Sequence, residues 1–225
     1  MPEATTSAAP TSVYDAAVQR EGLSATHRYL LQQIPPHSTV LELGPASGYM
    51  TAVLAGKGCR VDAVELNARD AAKAAPFCRQ IIVASLEDEG WSRSLSESYQ
   101  FALMADVLEH LRNPEEVLRR VRRLLAADGV ALVSLPNVVY WRTRLQFLLG
   151  RFEYTDTGTL DRTHLRFYTL ASAQDMFRAA GFHIEKVMVL TPENVRCKRL
   201  KRWLRKIRPG LFGFNFIFHL RRDAA

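Results

Sequence analysis

Cysteine is scarce in this chain and long apolar runs are missing from it. The three cysteines, Cys59, Cys78 and Cys197, are odd in number and have neither a CxxC nor a Cys/His spacing. That argues against a disulfide framework and gives no zinc signal. No window reaches the roughly 18 consecutive apolar residues of a membrane span. The opening stretch, MPEATTSAAPTS, has neither the basic nor the apolar region of a secretory signal, so the expected location is the cytoplasm. The acids near the expected pocket form no recognisable ligand set, so no metal ligand is assigned and metal use stays open. The first glycine loop, GPASG, lacks the third glycine of a GxGxxG register, which weakens a dinucleotide-binding reading without removing it.

What is present fits one globular domain of 225 residues, 48% hydrophobic, behind a low-complexity leader over residues 1–12. Charge is unevenly spread. Residues 191–225 hold ten Lys or Arg against two acids, a net of +8, while the whole chain carries +7. The remainder is therefore about −1, and the basic character belongs to the tail.

The stretch VLELGPASG, residues 40–48, is an apolar run stopped by a tight turn of small residues. In an open α/β sheet a nucleotide-type ligand sits at such a strand-to-helix turn. A helical pattern over residues 13–34, with Ser24 or Thr26 as N-caps and Pro35 and Pro36 as the stop, precedes it. Apolar runs then recur at 60–64, 80–84, 101–105 and 130–135, alternating with helical segments, one of them opened by Asn113 as a capping side chain, Pro114 and two acids. Glu65 ends the second strand about 20 residues after the glycine turn, where a carboxylate reaches the two hydroxyls of a ribose. Residues 85–99 read as an acidic, loop-rich crossover. Residues 138–149 and 169–180 read as helices, 182–190 as a sixth strand and 214–220 as a last one. The pattern argues a doubly wound, mostly parallel sheet.

FALMADVLEHLRNPEEVLRRVRRLL, taken with VLELGPASG, VDAVE and ADGVALVSLPN, resembles the class I S-adenosylmethionine-dependent methyltransferases over residues 13–190. The segment LPNVVYWRTRLQFLLGRFEYTDTGTLDRTHLRFYT is similar to that of bacterial members found in polysaccharide, lipid-linked glycan and secondary-metabolite pathways. The resemblance implies a Rossmann-like seven-stranded sheet whose antiparallel last strand lies beside strand six, preceded by a basic helical insertion. It also implies S-adenosyl-L-methionine as cofactor. Glu42, Gly44 and Gly48 would shape the turn around its methionine end, Glu65 would hold the ribose and Leu66 would flank the adenine. Leu86 and Glu87 would touch the adenine base, and Asp106 would line the methionine side near the sulfonium. Two departures stand out. Ser85 occupies the position where the family frequently has Asp, leaving a backbone amide at Leu86 and the neighbouring Glu87 as substitutes, and Pro45 removes one backbone N–H from the turn.

Methyl transfer needs a collinear nucleophile and methyl group, and needs a base chiefly when the nucleophile is a hydroxyl. His110 and His164 are the candidates, because imidazole accepts a proton near neutral pH. The plainer roles are orienting a helix start for His110 and anchoring a loop for His164. Residues 137–168 are expected as a substrate-side insertion, with Tyr140, Arg144, Asp161, Thr163 and Arg166 toward the acceptor. Asp161 and Arg166 can instead pin the loop as an internal pair. The expected acceptor is an oxygen of a glycan, lipid-linked sugar or small metabolite. N-methylation of an amine, or a catalytically silent cofactor-binding module, are the alternatives. Residues 194–208 form a basic amphipathic pattern that can touch an anionic membrane or pack on its own domain. No nucleic-acid motif accompanies it, so no nucleic-acid partner is expected.

Overall fold

Every side chain of the strand Thr39–Leu43 (β1) is buried, as expected of a strand covered by helices on both faces. The computed structural model, which describes residue 18 and residues 22–95, 98–191 and 207–223, places β1 inside a seven-stranded sheet, beside its central strand. Helix α1 (Ala25–Gln32) precedes it. Then follow α2 (Tyr49–Gly56), β2 (Arg60–Glu65), α3 (Ala68–Ala74), β3 (Gln80–Val83), α4 (Gly90–Arg93), β4 (Tyr99–Ala105), α5 (Pro114–Leu124), β5 (Leu125–Pro136), α6 (Trp141–Leu148), α7 (Leu170–Ala179), β6 (Phe182–Leu190), α8 (Pro209–Phe212) and β7 (Asn215–Arg222). The strand order is β3-β2-β1-β4-β5-β7-β6. β1 to β5 run parallel, and β7 is antiparallel to both β5 and β6, between which it is inserted. The expected sheet and its antiparallel last strand are both present.

Two apolar layers sandwich the sheet. On one face Val117, Leu118 and Val121 of α5 and Phe177 of α7 pack with Phe216 and Phe218. On the other, Leu30 and Leu31 of α1 and Met50 and Leu54 of α2 pack with Leu103, Leu132 and Ile217. The period-2 alternation of Phe216, Ile217 and Phe218 thus serves both layers.

Several boundaries differ from expectation. The long first helix is interrupted by Gly22 at φ +73°, a left-handed turn that glycine adopts without strain. Ser24 then caps α1 by accepting the His27 amide at 3.2 Å. The acidic crossover contains α4, and β5 starts directly after α5. Asn113 makes no side-chain cap on α5. The Glu87 carboxylate accepts the amides of Arg112 and Asn113 instead, at 2.6 and 2.9 Å. Most of the basic helix expected over residues 194–208 lies outside the described residues.

Residues 137–168 leave and rejoin the sheet at one point. Asn137 and Tyr168 form a bridge, the Val138 amide donates to the Tyr168 carbonyl at 3.0 Å, and the Asn137 side chain donates to the Gly210 and Gly213 carbonyls. These bonds start α6 at Trp141 rather than at residue 138.

Candidate active site

The carboxyl ends of β1, β2 and β4 define a crevice whose floor is the turn 44–48. Gly44 and Gly48 have φ of +65° and +83°. A Cβ on Gly48 would lie 2.7 Å from the Ala74 Cα, and one on Gly44 would lie 3.0 Å from Val107, so both positions demand glycine for close packing as well as for conformation. Ala46, at φ +50°, is held left-handed against its own preference. What holds it is Glu65. Its carboxylate accepts the Ala46 amide at 3.0 Å and the Asn67 amide at 2.8 Å, which ties the glycine turn to the end of β2. With Pro45 lacking an N–H, the Gly44 amide donates to Val64 and the Gly48 amide to Pro45.

Glu42 points from β1 onto α2, accepting the Thr51 hydroxyl at 2.7 Å, and burial raises its carboxyl to about 7. Leu66 is 72% exposed at the crevice rim, an apolar face open to a planar ligand. Leu86 is placed differently. Its side chain is buried in the core beside Trp91, and its carbonyl takes the Trp91 indole and the Arg120 guanidinium. Ser85 accepts the Glu87 amide at 3.2 Å, and the Glu87 carboxylate faces α5, so neither supplies a carboxylate to the crevice.

Asp106 ends β4 in a left-handed conformation, φ +54°, one that Asp tolerates better than most residues. Its Oδ1 accepts Ser134 at 2.7 Å and Asn215 at 3.2 Å. His27 of α1, whose ring packs on Tyr49 at 5.2 Å, lies within electrostatic reach of Asp106. Burial lowers its pKa and the Asp106 charge partly restores it. The sequence reading missed His27, Ser134 and Asn215, because only the β5–β7 pairing and the placement of α1 bring them to β4.

The insertion is clipped to the turn after β4 by the amides of Leu165 and Arg166, which both donate to the Glu109 carbonyl, at 2.8 and 3.0 Å. This brings His164 onto His110, ring centres 4.8 Å apart and nearly perpendicular. His164 is 8% exposed, and its pKa is lowered first by burial and then by His110, which keeps the imidazole neutral near pH 7. Asp161 folds back on Thr163, accepting its amide at 2.8 Å and its hydroxyl at 2.7 Å. The Arg166 guanidinium donates to the Arg112 carbonyl, so it braces the insertion against the start of α5. Tyr140 is buried between Trp141 and Phe214, and Arg144 donates to the Val139 carbonyl, which leaves both as braces of α6. A cleft of about 320 Å³ between α4 and α5, lined by Glu89, Arg93, Glu116 and Arg120, lies outside this crevice and contains none of the expected site residues.

A family model described as a methyltransferase domain matches residues 14–187. The chain belongs to that methyltransferase family. It is an enzyme of the class I architecture, with S-adenosyl-L-methionine as its cofactor. Solved structures agree on the fold. A SAM-dependent methyltransferase from Archaeoglobus fulgidus shares 16% identity over 93% of this chain and 100% of its own, with a TM-score of 0.64. A TehB-like SAM-dependent methyltransferase from Corynebacterium glutamicum shares 14% over 93% and 94%, TM-score 0.62. The magnesium protoporphyrin IX methyltransferase of Synechocystis, solved with SAH, shares 14% over 93% and 84%, TM-score 0.59. No curated protein matches the chain.

Proposed function

We propose that this methyltransferase acts on an acceptor oxygen, of a lipid-linked sugar, glycan or small metabolite, at the mouth formed by residues 137–168. The observation that carries this reading is the meeting of His110 and His164 just after β4, with Asp106 within electrostatic reach of His164. Two imidazoles at the acceptor end of the crevice suit an acceptor whose proton must be removed or whose oxygen must be polarised.

The residues around the glycine turn fit the cofactor. Gly44 and Gly48 keep the turn free of side chains, Glu65 presents a carboxylate at the strand end, and Leu66 offers an apolar face. Glu65 would hold the ribose, Gly44 and Gly48 would face the methionine end, and Asp106 would line the sulfonium side. When bound, the cofactor supplies an activated methyl group; the protein positions the acceptor, excludes water and handles the acceptor's proton.

The acceptor class draws support from the insertion. Leu145, Leu148, Leu149, Phe152 and Tyr154 are all exposed there, with Phe147, Phe152, Tyr154 and Phe167 in one aromatic cluster and Arg142 above Trp141. Apolar surface of this extent suits an acceptor with an apolar body and a polar end. The basic run 194–208 supports peripheral contact with an anionic membrane as the place where a lipid-linked acceptor is met. Among the described residues no helix is long and apolar enough to cross a membrane.

Calorimetric titration with S-adenosylhomocysteine, compared with Glu65→Ala, tests the cofactor side, with at least a tenfold weakening expected. Methyl transfer to a panel of hydroxyl and amine acceptors tests the acceptor side, where His164→Ala should lower kcat at least a hundredfold on a hydroxyl acceptor. Activity confined to amines would replace the oxygen reading by N-methylation.

A further inference from the structure

Glu109 sits in a short 3₁₀ turn, Leu108–His110, with 0% of its surface exposed and, among the described residues, no hydrogen-bond partner on either carboxylate oxygen. A buried carboxylate without partners is rare, because nothing in the protein offsets its desolvation. Its backbone already does the structural work of this turn by accepting the amides of residues 165 and 166, and an apolar side chain would fill the same space at less cost. The carboxylate therefore needs another explanation.

Its neighbours provide one. Glu109, His110 and His164 each offer a ligand atom, all within 4.8 Å of one another. The ring nitrogens are sorted by their other bonds. His164 Nδ1 lies 3.3 Å from the Thr159 carbonyl, and His110 Nδ1 lies 3.2 Å from the Thr163 carbonyl. A carbonyl only accepts, so each Nδ1 carries the proton and each Nε2 keeps its lone pair. For His110 the arrangement extends further. The Thr163 hydroxyl, 3.1 Å from the same Nδ1, is turned toward Asp161. Donation of the second ring nitrogen to a carbonyl is the support that metal-ligating histidines receive.

We propose that Glu109, His110 and His164 form a binding site for one divalent cation of the first transition row, such as zinc, cobalt or manganese. Two imidazoles and one carboxylate favour such an ion over magnesium or calcium, which prefer all-oxygen shells. With ligand bonds of about 2.1 Å, the atoms of a tetrahedral set stand about 3.4 Å apart. The widest of the three pairs must therefore draw together by up to about 1.4 Å, shared between rotations of the three side chains. The open coordination positions would take water or, resting on the oxygen-acceptor reading above, the acceptor's oxygen. In that case the two histidines act as ligands, and the cation polarises the acceptor.

The site was not legible as a ligand set, because His164 stands 54 positions after His110 and only the clip on the Glu109 carbonyl joins them.

The test uses the chelator-treated full chain. Calorimetric titration with Zn²⁺, repeated with Co²⁺ while following its visible absorption, should show one ion bound with micromolar or tighter affinity. Glu109→Gln, His110→Ala and His164→Ala should each weaken binding at least tenfold, with circular dichroism checking that each variant is folded. Cys78→Ser and His37→Ala, remote from the cluster, should leave the affinity within twofold. Absence of binding to the wild type, or tight binding that survives both Glu109→Gln and His164→Ala, would overturn the proposal. S-adenosylhomocysteine binding to the cation-free protein tests the cofactor site by itself, so failure of one reading is distinguishable from failure of the other.

Discussion

Two buried carboxylates in this protein, Asp62 on β2 and Glu109 after β4, are treated in opposite ways. Asp62, 1% exposed, accepts Arg79 through both guanidinium positions and the Tyr99 hydroxyl at 2.5 Å. Glu109 is as deeply buried and, among the described residues, accepts nothing through its side chain. Removing a carboxylate from water is expensive in both places. At Asp62 a cation and a phenol offset the cost within the fold, whereas Glu109 keeps its electron pairs for a ligand. A buried carboxyl group thus serves architecture where the fold partners it, as at Asp62, and is a candidate for chemistry where it does not, as at Glu109.

The contrast can be broken most forcefully at Asp62. Asp62→Ala removes the acceptor that Tyr99 and Arg79 share and should cost about 3 kcal/mol in urea unfolding. A loss below about 1 kcal/mol would remove the distinction between the two sites.

Glu42 is the intermediate case, with one partner. Its carboxyl is raised from 4.5 to about 7. Below 4.5 it is protonated whether the chain is folded or not. Between 4.5 and 7 the unfolded chain releases the proton and the folded one keeps it, so stability falls as pH rises through that window. The fall amounts to about 3 kcal/mol once the pH is above 7. Glu42→Gln should flatten this part of the stability–pH curve, measured by unfolding at pH 5 and pH 8; an unchanged slope would assign the dependence to other groups.

Glu65 is partnered only by backbone. Glu65→Ala should cost about 1 to 2 kcal/mol by leaving two amides unbonded, against a much larger loss of cofactor affinity. The smallest effect on stability belongs to Glu109. Glu109→Gln should leave the cation-free protein within about 1 kcal/mol of wild type, because burial, with the Asp106 charge nearby, pushes the Glu109 carboxyl well above its usual range and favours its uncharged form. A loss as large as that of Asp62→Ala would make Glu109 structural.

The sheet was readable because each parallel strand is an apolar run closed by an acid, a small residue or a proline. Glu65 was readable from spacing, and the antiparallel last strand from family resemblance. Contacts set by the tertiary fold were not readable. Asn113 has the residue type for a cap, but its side chain makes no capping bond, and the amides of Arg112 and Asn113 are held by Glu87 from another segment. The Leu86 side chain joins the core and the Trp91 indole bonds its carbonyl, placements that its position after β3 does not announce and that leave the expected adenine contact to its backbone amide. The two histidines stand out one by one; the acid directly before His110 does not, since nothing in the local pattern of LEHL shows that both its oxygens lack partners among the described residues.

The bridge between Asn137 and Tyr168 has a consequence for how such enzymes diversify. Because the insertion departs and returns through adjacent residues, with Asn137 pinned to the Gly210 and Gly213 carbonyls, the intervening 30 residues behave as a cassette. Its exchange would leave the strand registers intact. Inheritance of a new acceptor range would then need only a replaced loop that still reaches the Glu109 carbonyl, and the cofactor half of the protein could be retained unchanged.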